Sequence, residues 1–172
     1  MKIAILGYSG SGKSTLAQKL AAHHALPVLH LDTVHHLPGW QVRDREESAK
    51  IVSDFLDANA EGGWVIDGTY SKLSFERRLE EADLILLLLF NRFRCLYRVC
   101  KRYHTYKGKS RPDMAEGCAE KIDGEFLRWI LWKGRTKLHR QRFRGIQTQY
   151  KDKVTVLKSQ RQIDAFEREC GL

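Results

Sequence analysis

Apolar residues fall along this chain in two rhythms. Short runs that are apolar at nearly every position occur at Lys2-Ile3-Ala4-Ile5-Leu6, Val28-Leu29-His30-Leu31, Trp64-Val65-Ile66, residues 84–90 and Lys153-Val154-Thr155-Val156-Leu157. Runs of this length predict five buried strands, and the 84–90 run, apolar throughout, predicts a strand covered on both faces. Between them apolar residues recur every three or four positions. The helix-forming residues of 14–24 and the polar stretch 71–81 predict two helices, and that spacing predicts one from an Asp44 cap with Ala49, Val52, Phe55 and Leu56 inward. It predicts three more: one capped by Asn91 with Phe93, Leu96, Tyr97, Cys100 and Tyr103 on its apolar side, one long helix from near Glu125, and a last helix opened by Ser159-Gln160-Arg161-Gln162. In the long helix Phe126, Leu127, Ile130, Leu131 and Leu138 point inward, and in the last Ile163, Phe166 and Cys170 do. Strands alternating with helices predict one doubly wound α/β layer sandwich, although periodicity leaves the strand order open.

The breaks in the pattern carry the chemistry. Between the first strand and the first helix stands Gly7-Tyr8-Ser9-Gly10-Ser11-Gly12-Lys13-Ser14-Thr15, a full match to G-x-x-x-x-G-K-[ST] in the strand–loop–helix context that this motif needs. Its glycines let backbone N–H groups turn inward at a helix N-terminus and form a nest for a polyphosphate such as that of ATP. Lys13 then reaches the β- and γ-phosphates, and the Ser14 hydroxyl is placed to coordinate Mg²⁺. Asp32 follows the second strand and projects into the same crevice, because ligands of open parallel sheets lie beyond the carboxyl ends of the strands. It is a candidate to orient or deprotonate an acceptor hydroxyl or to hold a metal-bound water, and otherwise a plain helix cap or turn residue. Asp67-Gly68-Thr69-Tyr70 ends the third strand, and Asp67 is the candidate for the carboxylate beside Mg²⁺. Residues 33–43, with His35, His36, Pro38, Gly39 and Trp40, read as a substrate-contacting loop.

Charge adds a second layer. The 172 residues carry a net charge of +9, and sixteen of the thirty Lys and Arg lie in residues 91–111 and 133–153. Clustering of that kind implies an anionic partner, polyphosphate or nucleic acid. Arg98 and Arg102 share one helix face just before a segment containing Gly108 and Pro112, an arrangement suited to stabilising a transferring phosphoryl group. Arg135 reaches back from the long helix. Four cysteines in no C-x-x-C pair argue against a disulfide framework or a metal knuckle. No apolar run approaches the roughly 18 residues of a membrane span, so the expectation is a cytoplasmic protein with no signal peptide and no membrane partner.

The phosphate loop, Leu29-His30-Leu31-Asp32, Trp64-Val65-Ile66-Asp67-Gly68-Thr69-Tyr70, and Asn91-Arg92 followed by Arg98 and Arg102 resemble the nucleoside monophosphate kinase group of P-loop proteins. More closely, the chain is similar over nearly its whole length to adenylate-kinase-related proteins described as DNA topology modulation proteins, including Arg111-Pro112-Asp113-Met114-Ala115-Glu116-Gly117-Cys118. The resemblance implies a three-layer P-loop fold, a five-stranded parallel sheet in the order 2-3-1-4-5, a helical lid over about residues 103–124, and Arg98, Arg102, Arg111 and Arg135 as lid-side phosphate ligands. Adenylate kinases carry a Pro-Arg pair where this chain has Thr69-Tyr70-Ser71, and their monophosphate-binding helices are longer than residues 33–59 here. With that departure, the histidines and Trp40 of residues 33–43 leave room for a small hydroxylated acceptor of the shikimate or gluconate type as well as a nucleotide. Three functions follow: an ATP-dependent kinase using Mg²⁺, an ATP-binding protein that binds DNA and modulates its topology, and an ATP-binding switch with no acceptor.

Overall fold

The computed structural model describes residues 1–108, 113–114 and 117–172. Arg111 therefore lies outside the described residues. In chain order the elements are β1 (Lys2–Gly7), α1 (Lys13–His24), β2 (Val28–His30), α2 (Leu31–His35), β3 (His36–Leu37), β4 (Gln41–Val42), α3 (Arg45–Ala58) and β5 (Trp64–Asp67). They continue with α4 (Phe75–Glu81), β6 (Leu84–Leu88), α5 (Arg92–Tyr106), α6 (Gly124–Leu131), α7 (Lys137–Gln149), β7 (Val154–Leu157) and α8 (Gln160–Glu169). Short 3₁₀ turns lie at Pro38–Trp40 and Lys133–Arg135.

One parallel sheet has the order β2-β5-β1-β6-β7. This differs in numbering from the expected 2-3-1-4-5 because β3 and β4, an antiparallel hairpin apart from the main sheet, were not foreseen. Alternation along each strand sorts the core into two halves. Ile3, Ile5, Leu86 and Leu88 pack with Leu16, Leu20, Val99 and Ile163 on one face. Ala4, Leu6, Ile85 and Leu87 pack with Val52, Leu56, Leu79 and Phe143 on the other. The parallel strands send all their carboxyl ends to one edge, which fixes where the site must be.

Several expectations need correction. Residues 33–43 are not a plain loop: α2 and the β3–β4 hairpin fill them. The helix expected over 71–81 begins only at Phe75, since Ser74 takes a left-handed φ of 44°. In α5 the apolar side is misjudged: Cys95 and Val99 are buried, whereas Phe93 and Tyr97 are 72% and 67% exposed. Aromatic residues outnumber the small buried ones in that sequence and drew the expected stripe to the wrong face. The long helix breaks after Leu131 and restarts at Lys137, with Thr136 accepting from the His139 N–H as a new N-cap. Gly134 sits against Trp129, where a Cβ would lie 3.0 Å from the indole Nε1. Leu138, expected inward, is 65% exposed. Of the lid expected over 103–124, the first residues belong to α5 and the last begins α6. Among the described residues no helix is long and apolar enough to cross a membrane.

Candidate functional site

The phosphate loop is built by backbone constraints. Gly7 pairs with Leu88 across β1 and β6, and at its φ of 144° an added Cβ would stand 2.2 Å from the Leu88 carbonyl oxygen. Only glycine lets the chain leave the sheet here. Gly10 and Gly12 take left-handed φ values of 77° and 95°, and Gly12 is the N-cap of α1. The loop thus turns back onto the start of a helix, where the dipole favours an anion. Lys13 Nζ folds over the loop and donates to the Tyr8 carbonyl at 3.1 Å. Arg98 crosses from α5 and donates from Nη1 to the Ser11 carbonyl at 2.6 Å, while Nη2 contacts Gln160 Oε1 at the start of α8.

Asp67 meets this loop from β5. The Ser14 hydroxyl donates to Asp67 Oδ2 at 2.9 Å, and His30 Nδ1 contacts Oδ1. The β2–β5 register sets His30 directly beside Asp67. Burial works to lower the pKa of His30, but the hydrogen bond and charge of Asp67, joined by Asp113 and Asp32, outweigh it and raise the pKa. Next to Asp67, Thr69 Oγ1 both donates to the Gly7 carbonyl and accepts from the Gly7 N–H, each at 3.0 Å, and so ties the two loops together. A hydroxyl and a carboxylate held in contact at the end of a phosphate loop form a hard-oxygen donor set, which fits Mg²⁺.

Asp32 stands on the other side, in the first turn of α2. Tyr70 donates its hydroxyl to Asp32 Oδ1 at 2.7 Å, and the His35 ring packs on Tyr70 with centroids 4.7 Å apart. Burial, then the Asp32 charge and hydrogen bond, push the Tyr70 pKa far above its ordinary value, so the phenol stays a donor. His36 and Trp40 continue the aromatic wall at 5.3 Å. Burial lowers the pKa of both His35 and His36. Trp40, itself at a positive φ of 65°, donates its indole N–H to the Ala119 carbonyl at 3.0 Å, and Gly39 N donates to the Gly117 carbonyl at 3.3 Å. The hairpin and the segment before α6 are therefore in contact.

Arg78 organises the loop that carries Thr69 and Tyr70. Its side chain, 1% exposed, donates to the carbonyls of Leu73 at 2.9 Å, Gly68 at 3.2 Å and Tyr70 at 2.8 Å. Burial pushes its pKa down to about 10, which still leaves it a cation at neutral pH.

A cavity of about 1380 Å³ joins both sides. That exceeds the ~300–1,000 Å³ of an ordinary single-ligand pocket and leaves room for two reactants. Gly7, Ser9, Gly10, Gly12, Lys13, Ser14, Thr15, Asp32, Arg98, Arg102 and Arg135 all line it. Ser11 is fully buried behind the loop, and Asp67 is buried beneath Ser14. Arg102 pairs with the buried Glu120 through Nε at 2.8 Å and Nη2 at 2.7 Å. Arg135 donates to the carbonyls of Ile130 and Phe90 at 2.9 Å each, with its guanidinium 3.8 Å from the centre of the Tyr8 ring. Sequence reasoning singled out neither His30, Tyr70 nor Arg78 for a role. His30 and Tyr70 flank the two acids in the motifs, which was a usable signal; Arg78 gives none, because its adjacent Arg77 is an ordinary surface ion-pair residue.

Residues 3–128 match the AAA domain family, and the chain belongs to that family. No curated protein matches it. Among solved structures, a deoxyadenosine kinase from M. mycoides with bound dATP is 15% identical, with 100% of both chains covered and a TM-score of 0.58. A sugar kinase from Janibacter sp., solved without ligand, is 19% identical over 72% of this chain and 80% of its own, with a TM-score of 0.44. An uncharacterized protein from Eubacterium ventriosum is 18% identical over 88% and 76%, with a TM-score of 0.41. At these identities the deoxyadenosine kinase shares the fold.

Proposed function

We propose that this AAA-domain protein is an ATP-dependent phosphotransferase, moving the γ-phosphoryl group of ATP to a hydroxyl of a nucleotide or another small hydroxylated acceptor. The observation that carries this reading is one cavity into which separate segments bring Lys13 and Ser14 of the loop 7–15, Asp32 and Arg98, with Asp67 buried against Ser14 just beneath its wall. The fold shared with a deoxyadenosine kinase is in keeping with it. In this reading the loop amides and Lys13 hold the phosphates of ATP. Ser14 and Asp67 would hold Mg²⁺, which when bound neutralises charge on the β- and γ-oxygens. Asp32, its carboxylate fixed by Tyr70, accepts the proton of the attacking hydroxyl. Arg98, Arg102 and Arg135 face the transferring group from the α5 and α6–α7 sides. Arg111 has this role by resemblance alone. Positioning and charge then do most of the work, since phosphoryl transfer asks little covalent chemistry of the protein.

The test is ATP consumption with Mg²⁺ against nucleosides, nucleoside monophosphates, small hydroxy acids and duplex DNA, with Lys13→Ala as the blank. One small acceptor that gives Lys13-dependent turnover well above the acceptor-free rate supports the reading. Stimulation by DNA with no response to any small molecule sinks it and favours the DNA-binding alternative, for which the comparisons offer no support.

A further inference from the structure

His30 and Asp67 are the last residues of neighbouring parallel strands, and both side chains are nearly buried, 10% and 5% exposed. The rest of β5 is apolar, Trp64-Val65-Ile66, and fully buried. A polar pair in such a place is costly relative to apolar residues of similar size, so it calls for a reason. The reason lies in the two oxygens of Asp67. Oδ2 accepts the Ser14 hydroxyl at 2.9 Å, whereas Oδ1 contacts His30 Nδ1 on the neighbouring strand. With an apolar residue at 30, Oδ1 would be buried without that partner, and the carboxylate, whose terminal torsion is intrinsically broad, would lose one of its two fixed points.

We propose that His30 is a positioning residue of the metal centre: by holding Oδ1 it turns Oδ2 of Asp67 towards Ser14, so that carboxylate and hydroxyl meet the cation as one preset pair. The inference rests on the assignment of Ser14 and Asp67 made under the proposed function. His30 is also the N-cap residue of α2, where its carbonyl accepts from Thr33 Oγ1 at 2.7 Å, and Asp32 follows two residues later. The same residue thus joins the metal side of the cavity through its side chain to the acceptor side through its backbone. Partners that orient a metal-binding carboxylate typically contribute ~10- to 100-fold to metal affinity.

The test compares the wild type with His30→Asn, His30→Gln and His30→Leu. Asn places an amide N–H where the imidazole Nδ1 stands, Gln moves the donor one methylene further out, and Leu removes it. Nucleotide affinity is measured in EDTA and with Mn²⁺, and bound Mn²⁺ is followed by its electron paramagnetic resonance spectrum in the ternary complex. The wild type and His30→Asn should gain affinity from Mn²⁺ alike. His30→Gln and His30→Leu should bind metal-free ATP as the wild type does, yet lose about tenfold or more in Mn²⁺ affinity and show a broadened spectrum. A folded His30→Leu or His30→Gln with wild-type Mn²⁺ affinity and spectrum overturns the inference, and the Asn–Gln pair decides it if Leu does not fold. A wild type that binds ATP with no gain from Mn²⁺ overturns the metal assignment itself, and the inference with it. Absence of Lys13-dependent ATP binding overturns the reading of the phosphate loop instead.

Discussion

The two sides of the cavity are built on opposite plans. On the phosphate side nine consecutive residues make the site, and its shape comes from backbone: left-handed glycines, a β1–β6 register that brings Gly7 against Leu88, and a helix N-terminus. On the side that the proposed function gives to the acceptor, the site is assembled from α2, the β3–β4 hairpin, the loop after β5 and the segment before α6, and its shape comes from side chains. Asp32 is held by Tyr70, the loop bearing Tyr70 by Arg78, and the hairpin by the Trp40–Ala119 bond. A backbone site tolerates no error at its glycines, whereas a side-chain site should degrade by degrees.

The largest effect expected from this difference is at Gly7. An alanine Cβ there would lie 2.2 Å from a main-chain oxygen of the central sheet, at a φ of 144° that L side chains rarely adopt. Neither the strand nor its neighbour can move without breaking the ladder, so Gly7→Ala should cost about 4 kcal/mol or more, read as a shift of the urea midpoint. A Gly7→Ala protein as stable as the wild type would mean that the loop does not leave the sheet as described. Next comes Lys13→Ala, which removes one hydrogen bond to the Tyr8 carbonyl and should move the midpoint far less, by about 1 kcal/mol. Its effect should fall on phosphoryl transfer, about 10³-fold or more, since the charge it supplies is aimed at the phosphates.

The acceptor side should respond less. Tyr70→Phe removes the donor to Asp32 Oδ1 and keeps the ring against His35. The expected result is roughly a tenfold loss of kcat/KM for the acceptor, from a hydrogen bond to a charged group worth about 1.5 kcal/mol, with the KM for ATP unchanged. An equal loss towards both substrates would show that Tyr70 supports the whole loop rather than Asp32, and the contrast between the two sides would blur.

The same contrast explains what could be read from sequence. The phosphate loop was legible because its chemistry is local: spacing, glycines, lysine and hydroxyl are contiguous, and the strand and helix that frame it have strong periods. The strand ends marked Asp32 and Asp67 for the same reason. What sequence did not disclose depends on contacts distant along the chain. His30 sits in an apolar run and reads as part of a strand until the β2–β5 register sets it beside Asp67. Arg78 follows a surface arginine in a polar helix, and only folding hides its side chain under the loop 68–73. The hairpin was missed because two-residue strands have no detectable period. The break at residues 132–136 was missed because the apolar spacing continues through it, while a cap at Thr136 and the packing of Gly134 against Trp129 override that pattern.

The smallest expected effect, and the one that sharpens the comparison most, is the response to pH in the absence of metal and nucleotide. On the acceptor side burial holds the pKa of His35 and His36 below the usual value, against the opposing charge of Asp32. As pH falls below about 6.5, the unfolded chain takes up protons that the folded chain does not, so stability is lost towards acid until the lowered values are reached. His30, at the border with the phosphate side, has the opposite sign: its pKa is raised, so the stability it contributes is complete below about 6.5 and is lost as pH rises through the raised value. Thermal melts between about pH 5 and about pH 8 should therefore show a shallow maximum flanked by two separable slopes. The double variant His35→Gln/His36→Gln should reduce the acid slope alone, leaving the part that comes from His139, whose pKa burial also lowers, and His30→Asn should flatten the alkaline slope alone. A profile in which either change flattens both slopes would mean that the two sides of the cavity titrate as one unit, and that the division between a backbone-built and a side-chain-built half has no counterpart in its energetics.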